Sequence, residues 1–291
     1  MKVNFFLIGA QKSGTTTLQK ILSVHNDIFV VPSEVSLLED PWFSAKTFSE
    51  LDSLLNTEDA RIRGIKRPHL LFMPEIAERI KAYDQNARIL IVLRDPIDRF
   101  VSAYFHHLSY RTIPFAPLNI GAMRILRGEY AKSWPISNTI LDYGLYGKAI
   151  QHYRSFFTAD QMLVLHYKDL SVDLEGVKTD LSNFFSIPNE WGAHLGEVRE
   201  NSGLRSPLKV LFSRIAKAQT QVYEPKSGLV YMRPGGPKST ALLNLAKRME
   251  RAVPDLDLWK VDLKKDVSAA LKKAYEYDQE LLARLTGRRL F

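Results

Sequence analysis

The sequence contains no cysteine among its 291 residues. Disulfide bonds and thiolate metal sites are therefore excluded, and any nucleophile must be of another residue type. Long apolar runs are also missing: the run nearest the amino terminus, Phe5 to Ile8, is too short for a signal-peptide core or a membrane span. A chain without disulfides suits a reducing compartment, so we predict a cytoplasmic protein with no membrane span.

Linkers, low-complexity tracts and solenoid repeats are equally absent from the sequence. With 45% hydrophobic residues the chain can bury a sizeable core, and we predict one domain over residues 1–291. Its core covers residues 1–200, and residues 201–291 form a basic, mostly helical part. The longest irregular segments are predicted at Tyr110–Asn138 and Gln219–Ser239, as loops that shape a site. Nothing in the sequence indicates the oligomeric state.

Charge is distributed unevenly along the chain. The formal net charge is +8, and residues 1–200 hold 22 Lys and Arg against 23 Asp and Glu, whereas residues 201–291 hold 18 against 9. A basic part of this size favours an anionic ligand, an acidic polymer or a membrane surface, and it also fits a solvated helical face. One alternative function is therefore a non-catalytic binder of nucleic acid or an acidic polymer. Since no recognised nucleic-acid motif accompanies the charge, we expect no nucleic-acid partner.

Apolar segments of strand type alternate with segments of helical periodicity along the first two thirds of the chain. Strands are predicted at Val3–Ile8, Arg61–Ile65, Arg88–Leu93 and Met162–Tyr167. Helices are predicted at Thr16–Val24, Pro74–Tyr83, Ile97–His107, Leu145–Phe157 and Leu174–Phe185. This alternation is typical of an α/β fold with a central, mostly parallel sheet flanked by helices. In such sheets ligand sites lie beyond the carboxyl ends of the strands.

A polar loop interrupts the segment NFFLIGAQKSGTTTLQKIL between the first predicted strand and the first predicted helix. Gly9 and Gly14 allow close backbone approach, and Lys12 supplies a positive charge. The amides of the first helical turn point at a ligand with the positive end of the helix dipole behind them. The pattern predicts a phosphate cradle built from Lys12, Ser13, Gly14, Thr15, Thr16 and Thr17. The alternative is an ordinary turn in which Ser13 or Thr15 caps the helix.

This loop does not meet the Walker A pattern, which requires Gly, four residues and then Gly-Lys-Ser/Thr. Lys12 comes two positions before Gly14 rather than directly after it, so an atypical P-loop kinase is only a second alternative function. The seven histidines are scattered without an HExxH motif, and no acidic motif for magnesium stands out. We therefore predict no metal site.

The order QKSGTTTL after a buried strand resembles the 5'-phosphosulfate-binding loop of sulfotransferases, which use 3'-phosphoadenosine 5'-phosphosulfate (PAPS). A second segment, ILIVLRDPIDRFVSAYFHH, resembles the part of the same family that holds the 3'-phosphate of the donor. The resemblance implies this role for Arg94 and for Ser102, and their guanidinium and hydroxyl groups suit a phosphate. It also implies a P-loop NTPase-like sulfotransferase fold, in a single-domain form of bacterial type.

Two further segments resemble the branch that includes the heparan sulfate and other carbohydrate sulfotransferases. VPSEVSLLED resembles the strand and turn that carry a general base in that branch, which implies this role for Glu34. GIKRPHLLFMPEIAERI resembles its Lys-x-Pro segment, which implies that Lys66 lies near the transferred group or the acceptor. The likeness fades beyond Pro188, and the cysteine pair that some members have near a nucleotide-closing loop is absent. RPGGPKS, Arg233–Ser239, is the candidate for that loop.

The resemblance implies a transferase that moves a sulfuryl group in line from PAPS to a hydroxyl or amine of a carbohydrate or small polar metabolite. Lys12 and the amides from Ser13 to Thr17 would stabilise charge on the departing phosphate, and Glu34 would take the acceptor proton. A rival base is His69, three residues after Lys66, because cytosolic small-molecule sulfotransferases use a His soon after a comparable Lys. The sequence leaves the acceptor open, and also the choice between Glu34 and His69.

Overall fold

The computed structural model describes residues 2–55, 60–192, 207–223, 230–232, 262–287 and 289–291, together with 241, 244–245 and 248. The chain packs as two compact units. The first unit comprises Met1–Asp95, Leu145–Glu200 and Asp278–Phe291, and the second comprises Pro96–Gly144 and Asn201–Tyr277.

The first unit is built on a five-stranded sheet. Its strands are β1 Phe5–Gly9, β2 Ile28–Glu34, β3 Ile62–Lys66, β4 Arg88–Leu93 and β5 Met162–His166. They lie in the order β2-β3-β1-β4-β5, and every neighbouring pair is parallel. Because β2 and β3 lie on one side of β1 while β4 and β5 lie on the other, the carboxyl end of β1 is the switch point of the sheet, where ligand sites are expected.

Both faces of this sheet are covered, which explains why β1 and most of β4 are continuously apolar. In β1, Phe6 and Ile8 belong to the core on one face, whereas Phe5 and Leu7 belong to the core on the other. All five residues of β1 are buried. Fully burying an apolar side chain of this size contributes about 1.5–3 kcal/mol, so the central strand is a major source of stability.

In the part of the chain that the structure describes, helices surround the sheet of the first unit and form most of the second. In chain order they are α1 Thr15–Leu22, α2 Thr47–Ser53, α3 Pro74–Tyr83, α4 Pro96–Tyr110, α5 Leu118–Leu126, α6 Ser137–Asp142, α7 Tyr146–Arg154, α8 Asp169–Val172, α9 Leu174–Phe185, α10 Pro207–Thr220 and α11 Lys265–Thr286. Helices α1 and α9 contribute to the core that contains Phe5, and α3 and α7 contribute to the opposite core. Pro74 begins α3, where a proline loses no helical hydrogen bond.

The second unit packs α4 against α6 and α10 and includes an antiparallel pair of strands, β6 Gln221–Tyr223 and β7 Val230–Met232. Arg99 of α4 is completely buried and donates a hydrogen bond to the Ile140 carbonyl. Arg214 of α10 donates to the Leu108 carbonyl at 2.6 Å. These side-chain bonds to backbone carbonyls fix the helices of this unit to one another.

The predicted α/β class, with a parallel sheet flanked by helices, is confirmed. Three predicted elements, Pro74–Tyr83, Arg88–Leu93 and Leu174–Phe185, have the same bounds in the structure. The extent of a single domain over residues 1–291 and its division at residue 200 stay predictions.

The prediction of an irregular segment over Tyr110–Asn138 is wrong where α5 lies. One face of α5 is buried through Leu118, Ala122 and Ile125, but a glycine in its centre obscures the pattern. Gly121 is required there because a Cβ would lie 2.0 Å from the Tyr104 hydroxyl.

The second segment that was predicted to be irregular, Gln219–Ser239, contains strands β6 and β7. The predicted closing loop, Arg233–Ser239, lies outside the described residues.

Candidate functional site

The loop between β1 and α1 lies at the carboxyl edge of the sheet. The Ala10 amide continues the sheet pattern by donating to the Val92 carbonyl at 2.8 Å. Two residues then take left-handed backbone conformations, Lys12 with φ of 67° and Gly14 with φ of 91°. A non-glycine residue in this region is uncommon and costs free energy, and such residues concentrate at functional sites. The loop is therefore held in a specific shape at the place where the sheet topology expects a ligand.

Gly14 lies against the aromatic ring of Tyr167, the residue after β5. A Cβ added to Gly14 would lie 2.5 Å from Cδ2 of that ring. A second neighbour of the Tyr167 ring is Arg94, whose guanidinium carbon lies 4.8 Å from the ring centroid. Tyr167 thus contacts both predicted phosphate-binding segments, although no sequence pattern singles it out.

Gly14→Ala is expected to destabilise the protein by about 2–4 kcal/mol, because it adds a steric clash with Tyr167 to the cost of a left-handed alanine. Gly128→Ala is the matched control, since Gly128 has φ of 69° and no described atom within 4 Å of an added Cβ. The control is expected to lose only about 1–2 kcal/mol. Urea unfolding measures both losses. Equal losses would contradict the close packing of Tyr167 on the loop.

Two cations approach each other beside the loop. Burial lowers the pKa of Lys12, and the charge of Arg94 lowers it further. Among the described residues no carboxylate pairs with Lys12, so a bound anion would relieve an unfavourable charge. The Ser13 hydroxyl is completely buried and has no hydrogen-bond partner within the described parts of the chain. Both features fit an anionic ligand in the loop.

The backbone amides of the loop are not all equivalent. The Ser13 amide donates to the Ala10 carbonyl at 3.1 Å, and the first helical bond runs from the Leu18 amide to the Gly14 carbonyl at 2.9 Å. The first turn of a helix leaves its own amides without partners inside the helix. The amides that remain for a ligand therefore include those of Thr15, Thr16 and Thr17, with the positive end of the helix dipole behind them.

Glu34 and Lys66 lie side by side because they end two neighbouring strands, β2 and β3, and are paired in register. Lys66 Nζ lies 3.8 Å from Glu34 Oε1 and 3.4 Å from the Thr16 hydroxyl. Burial lowers the pKa of Lys66, while the charge of Glu34 opposes this effect. The side chain of Glu34 is 43% exposed and that of Lys66 only 6%. Lys66 therefore links the loop to a carboxylate that is open to solvent.

Arg67 and Glu39 form a second charged pair beside Glu34. Arg67 binds Glu39 through two nitrogens, Nε and one terminal nitrogen, the latter at 2.9 Å, and its other terminal nitrogen lies 3.2 Å from Glu34 Oε2. The ring of His69 lies 3.3 Å from the Glu39 carboxylate. Burial alone would raise the pKa of Glu39, but hydrogen bonds from Arg67 and His69 lower it to about 2. Glu39 is therefore a buried anion held by two partners.

The structure thus brings together several of the predicted site residues. Lys66 contacts Glu34 and Thr16, while Lys12 lies close enough to Arg94 for their charges to interact. Ser102 is buried in α4 of the second unit, and its predicted role in phosphate binding stays a prediction.

Sequence reasoning missed Arg67, Glu39 and Tyr167 as members of the site. Their positions after β2, β3 and β5 are the signal that could have found them, because parallel strands bring their carboxyl ends to one edge of the sheet.

A parallel α/β sheet with a glycine-containing loop and two partly buried cations at its switch point defines a protein suited to bind an anionic ligand. The chain belongs to the sulfotransferase family, because the family model described as "Sulfotransferase domain" matches residues 2–206. The predicted family, and with it the predicted class of enzyme, is confirmed.

Individual relatives agree with the family. The chain is 27% identical over 183 residues to human heparan sulfate glucosamine 3-O-sulfotransferase 3B1, covering 62% of this chain and 45% of that protein. It is 26% identical over 198 residues to the bifunctional heparan sulfate N-deacetylase/N-sulfotransferase 1 of Xenopus tropicalis, covering 65% and 22%. The match thus spans less than half the length of these relatives. A sulfotransferase structure from Alicyclobacillus acidocaldarius superposes with a TM-score of 0.69 at 18% identity over 99% of this chain and 97% of that one, which shows a shared fold.

No helix in the described ranges has the length and apolar character needed to cross a bilayer. Within those same ranges, no group of three or more His, Asp or Glu residues is placed to hold a metal ion. The cytoplasmic location and the metal-free reaction stay predictions.

Proposed function

We propose that the protein transfers a sulfuryl group from PAPS to a hydroxyl or amine of a carbohydrate or small polar metabolite. The observation that carries the proposal is the half-buried Lys12, in a loop at the switch point of a sulfotransferase fold. Lys12 is unpaired with any described carboxylate and is repelled by Arg94. A phosphosulfate supplies the negative charge that this arrangement lacks. The relatives named for heparan sulfate favour a glycan as the acceptor.

The residues present fit the donor. The Ser13 hydroxyl has no partner among the described residues, and the amides of the first turn of α1 face the same loop. Lys12 and these amides would bind the 5'-phosphosulfate, while Arg94 would bind the 3'-phosphate with Ser102 as its predicted partner. A helix amino terminus with an added cation is a favourable site for phosphate.

In the proposed reaction the acceptor oxygen forms a bond to sulfur as the bond from sulfur to the bridging phosphate oxygen breaks. The electron pair of the breaking bond stays on the departing phosphate, where Lys12 stabilises the growing charge. The acceptor proton passes to Glu34, which is half-exposed next to Lys66. The products are the sulfated acceptor and adenosine 3',5'-bisphosphate.

Adenosine 3',5'-bisphosphate alone is expected to raise the Tm by several degrees, because a ligand at about a hundred times its Kd stabilises a protein by roughly 2.7 kcal/mol. Arg94→Ala should abolish the shift by removing the cation for the 3'-phosphate. ATP with magnesium is the comparison ligand. A shift with ATP and magnesium, but none with the bisphosphate, would contradict the proposal and favour an atypical kinase.

Glu34→Gln is expected to lower kcat by about 10²–10⁴, the usual contribution of a general base, whereas His69→Gln should lose less than about tenfold. The reason is geometric: His69 faces the buried Glu39, while Glu34 lies beside Lys66 and is open to solvent. Release of adenosine 3',5'-bisphosphate from PAPS, with heparan sulfate as the acceptor probe, measures turnover. Donor binding should persist in both variants. A larger loss in His69→Gln would reverse the assignment.

A further inference from the structure

Arg67 joins two carboxylates of very different exposure. Its Nε and one terminal nitrogen bind Glu39, and the remaining terminal nitrogen lies 3.2 Å from Glu34 Oε2. The side chain of Glu39 is 6% exposed, that of Arg67 is 21% exposed, and that of Glu34 is 43% exposed. The three residues, here called the Glu39–Arg67–Glu34 chain, therefore run from the interior to the open edge of the site.

The inner end of this chain is firmly anchored. The Glu39 carbonyl accepts hydrogen bonds from the amides of Trp42 and Phe43 at 2.8 and 2.9 Å, which fixes the turn that carries its side chain. The Glu39 carboxylate then binds the guanidinium in a two-bond geometry, which restricts its orientation more than a single contact does. Because a guanidinium is planar, fixing one edge also fixes the direction of the nitrogen that faces Glu34.

The outer end holds Glu34 by both of its oxygens. Oε1 lies 3.8 Å from Lys66 Nζ, and Oε2 lies 3.2 Å from Arg67. An exposed glutamate otherwise samples several rotamers, and each rotamer points its carboxylate in a different direction. Two cations that contact separate oxygens select one of these rotamers. Lys66 cannot set the plane of the carboxylate alone, because it is a single flexible ammonium at the longer distance.

We propose that Arg67 is a positioning residue that orients the Glu34 carboxylate toward the acceptor, with Glu39 as its fixed support. The inference rests on the proposed function, in which Glu34 accepts the proton. Arg67 does not touch the reacting atoms in this role. It acts through Glu34, so its contribution to turnover exists only while residue 34 is a carboxylate.

Arg67→Lys is the informative substitution, because lysine keeps a cation for the buried Glu39 but cannot bridge two carboxylates. We expect kcat to fall about tenfold to a hundredfold, the scale of a misplaced catalytic group, with donor binding unchanged. In the Glu34→Gln background the same substitution should have no further effect on kcat. Turnover is followed with PAPS and heparan sulfate. Equal fold-losses in both backgrounds would overturn the proposal, because a merely structural role is additive.

Arg79→Lys is the matched control. Arg79 binds Asp40 through two contacts, at 3.0 and 3.1 Å, and the Leu38 carbonyl at 2.8 Å, so it braces the same segment. No contact joins it to Glu34 within the described residues. We expect its kcat to stay within about twofold of the wild type. A loss as large as that of Arg67→Lys would assign both effects to the segment and overturn the proposal.

A second experiment tests the contact between Arg67 and Glu34 without measuring turnover. The Tm values of the wild type, Arg67→Lys, Glu34→Gln and the double variant form a cycle, and contact between the two side chains predicts non-additivity of about 1 °C or more. Additive Tm changes would overturn the proposed contact. If the wild type does not transfer sulfate to heparan sulfate, the proposed acceptor fails while this cycle still tests the Glu39–Arg67–Glu34 chain.

Discussion

Lys12→Ala is expected to lower turnover at least about a hundredfold while the protein stays folded. Removing one donor that stabilises developing negative charge costs about 2.7–4 kcal/mol of transition-state stabilisation, and Lys12 is the half-buried cation of the loop. The measurement is kcat with PAPS and heparan sulfate, together with the Tm of the unliganded protein. Lys20→Ala is the control, because Lys20 is exposed in the last turn of the same helix and should change kcat less than about twofold.

Stability and activity should change in opposite directions in Lys12→Ala. The pKa of Lys12 is lowered by burial and by the charge of Arg94, which means that its charged form is held at a cost in the unliganded protein. The variant is therefore expected to have a Tm equal to or above that of the wild type. A folded variant with normal turnover would contradict the role of Lys12, and a clearly lower Tm would show that Lys12 supports the fold instead.

Arg67→Met is expected to destabilise the protein by about 3–5 kcal/mol, because it leaves the buried Glu39 carboxylate without its main partner. The double variant Arg67→Met with Glu39→Leu should recover most of this loss, since two apolar side chains can replace a buried ion pair. Asp40→Asn is the control for an exposed pair, because the Asp40 side chain is 66% exposed, and it should cost no more than about 1 kcal/mol. Unfolding in urea measures all three. A double variant as unstable as Arg67→Met would contradict the buried-pair argument.

The same pair predicts how stability depends on pH. The pKa of Glu39 is lowered to about 2 in the folded protein, from an ordinary value of about 4.3 when unfolded. A carboxyl group whose pKa is lowered by folding contributes stability at pH values above its unfolded pKa. This contribution is lost as the pH falls from about 4.3 to about 2. Its full size is about 3 kcal/mol. Between pH 5 and pH 2 the stability difference between the wild type and Glu39→Gln should therefore shrink, and a constant difference would contradict the shift.

The sequence predicted most strands of the sheet, and the position of the loop between β1 and α1, because their signals are local. The strand Arg88–Leu93 is apolar throughout after Arg88, and the helix Pro74–Tyr83 begins at a proline, so both elements follow from local sequence. Helix α5 of the second unit was missed because Gly121 interrupts its pattern for a tertiary reason, the packing of Tyr104.

Contacts between strand ends could not be predicted from the sequence in the same way. Arg67 reaches Glu39 only because β2 and β3 are parallel and in a particular register, which includes an irregularity between Val30 and Glu34. Tyr167 reaches Gly14 only because β5 lies beside β4. These contacts depend on pairing between segments far apart in sequence, and no single segment carries that information.

The strand order separates the residues proposed for the acceptor from those proposed for the donor. On one side of β1, the carboxyl ends of β2 and β3 carry Glu34, Lys66 and Arg67. On the other side, the carboxyl ends of β4 and β5 carry Arg94 and Tyr167. If the proposed roles hold, residues for the acceptor and residues for the donor occupy separate halves of one sheet edge, joined by the loop after β1. Exchanging the segments after β2 and β3 would then change the acceptor that is used, while the segments after β4 and β5, proposed to bind the nucleotide, stay unchanged.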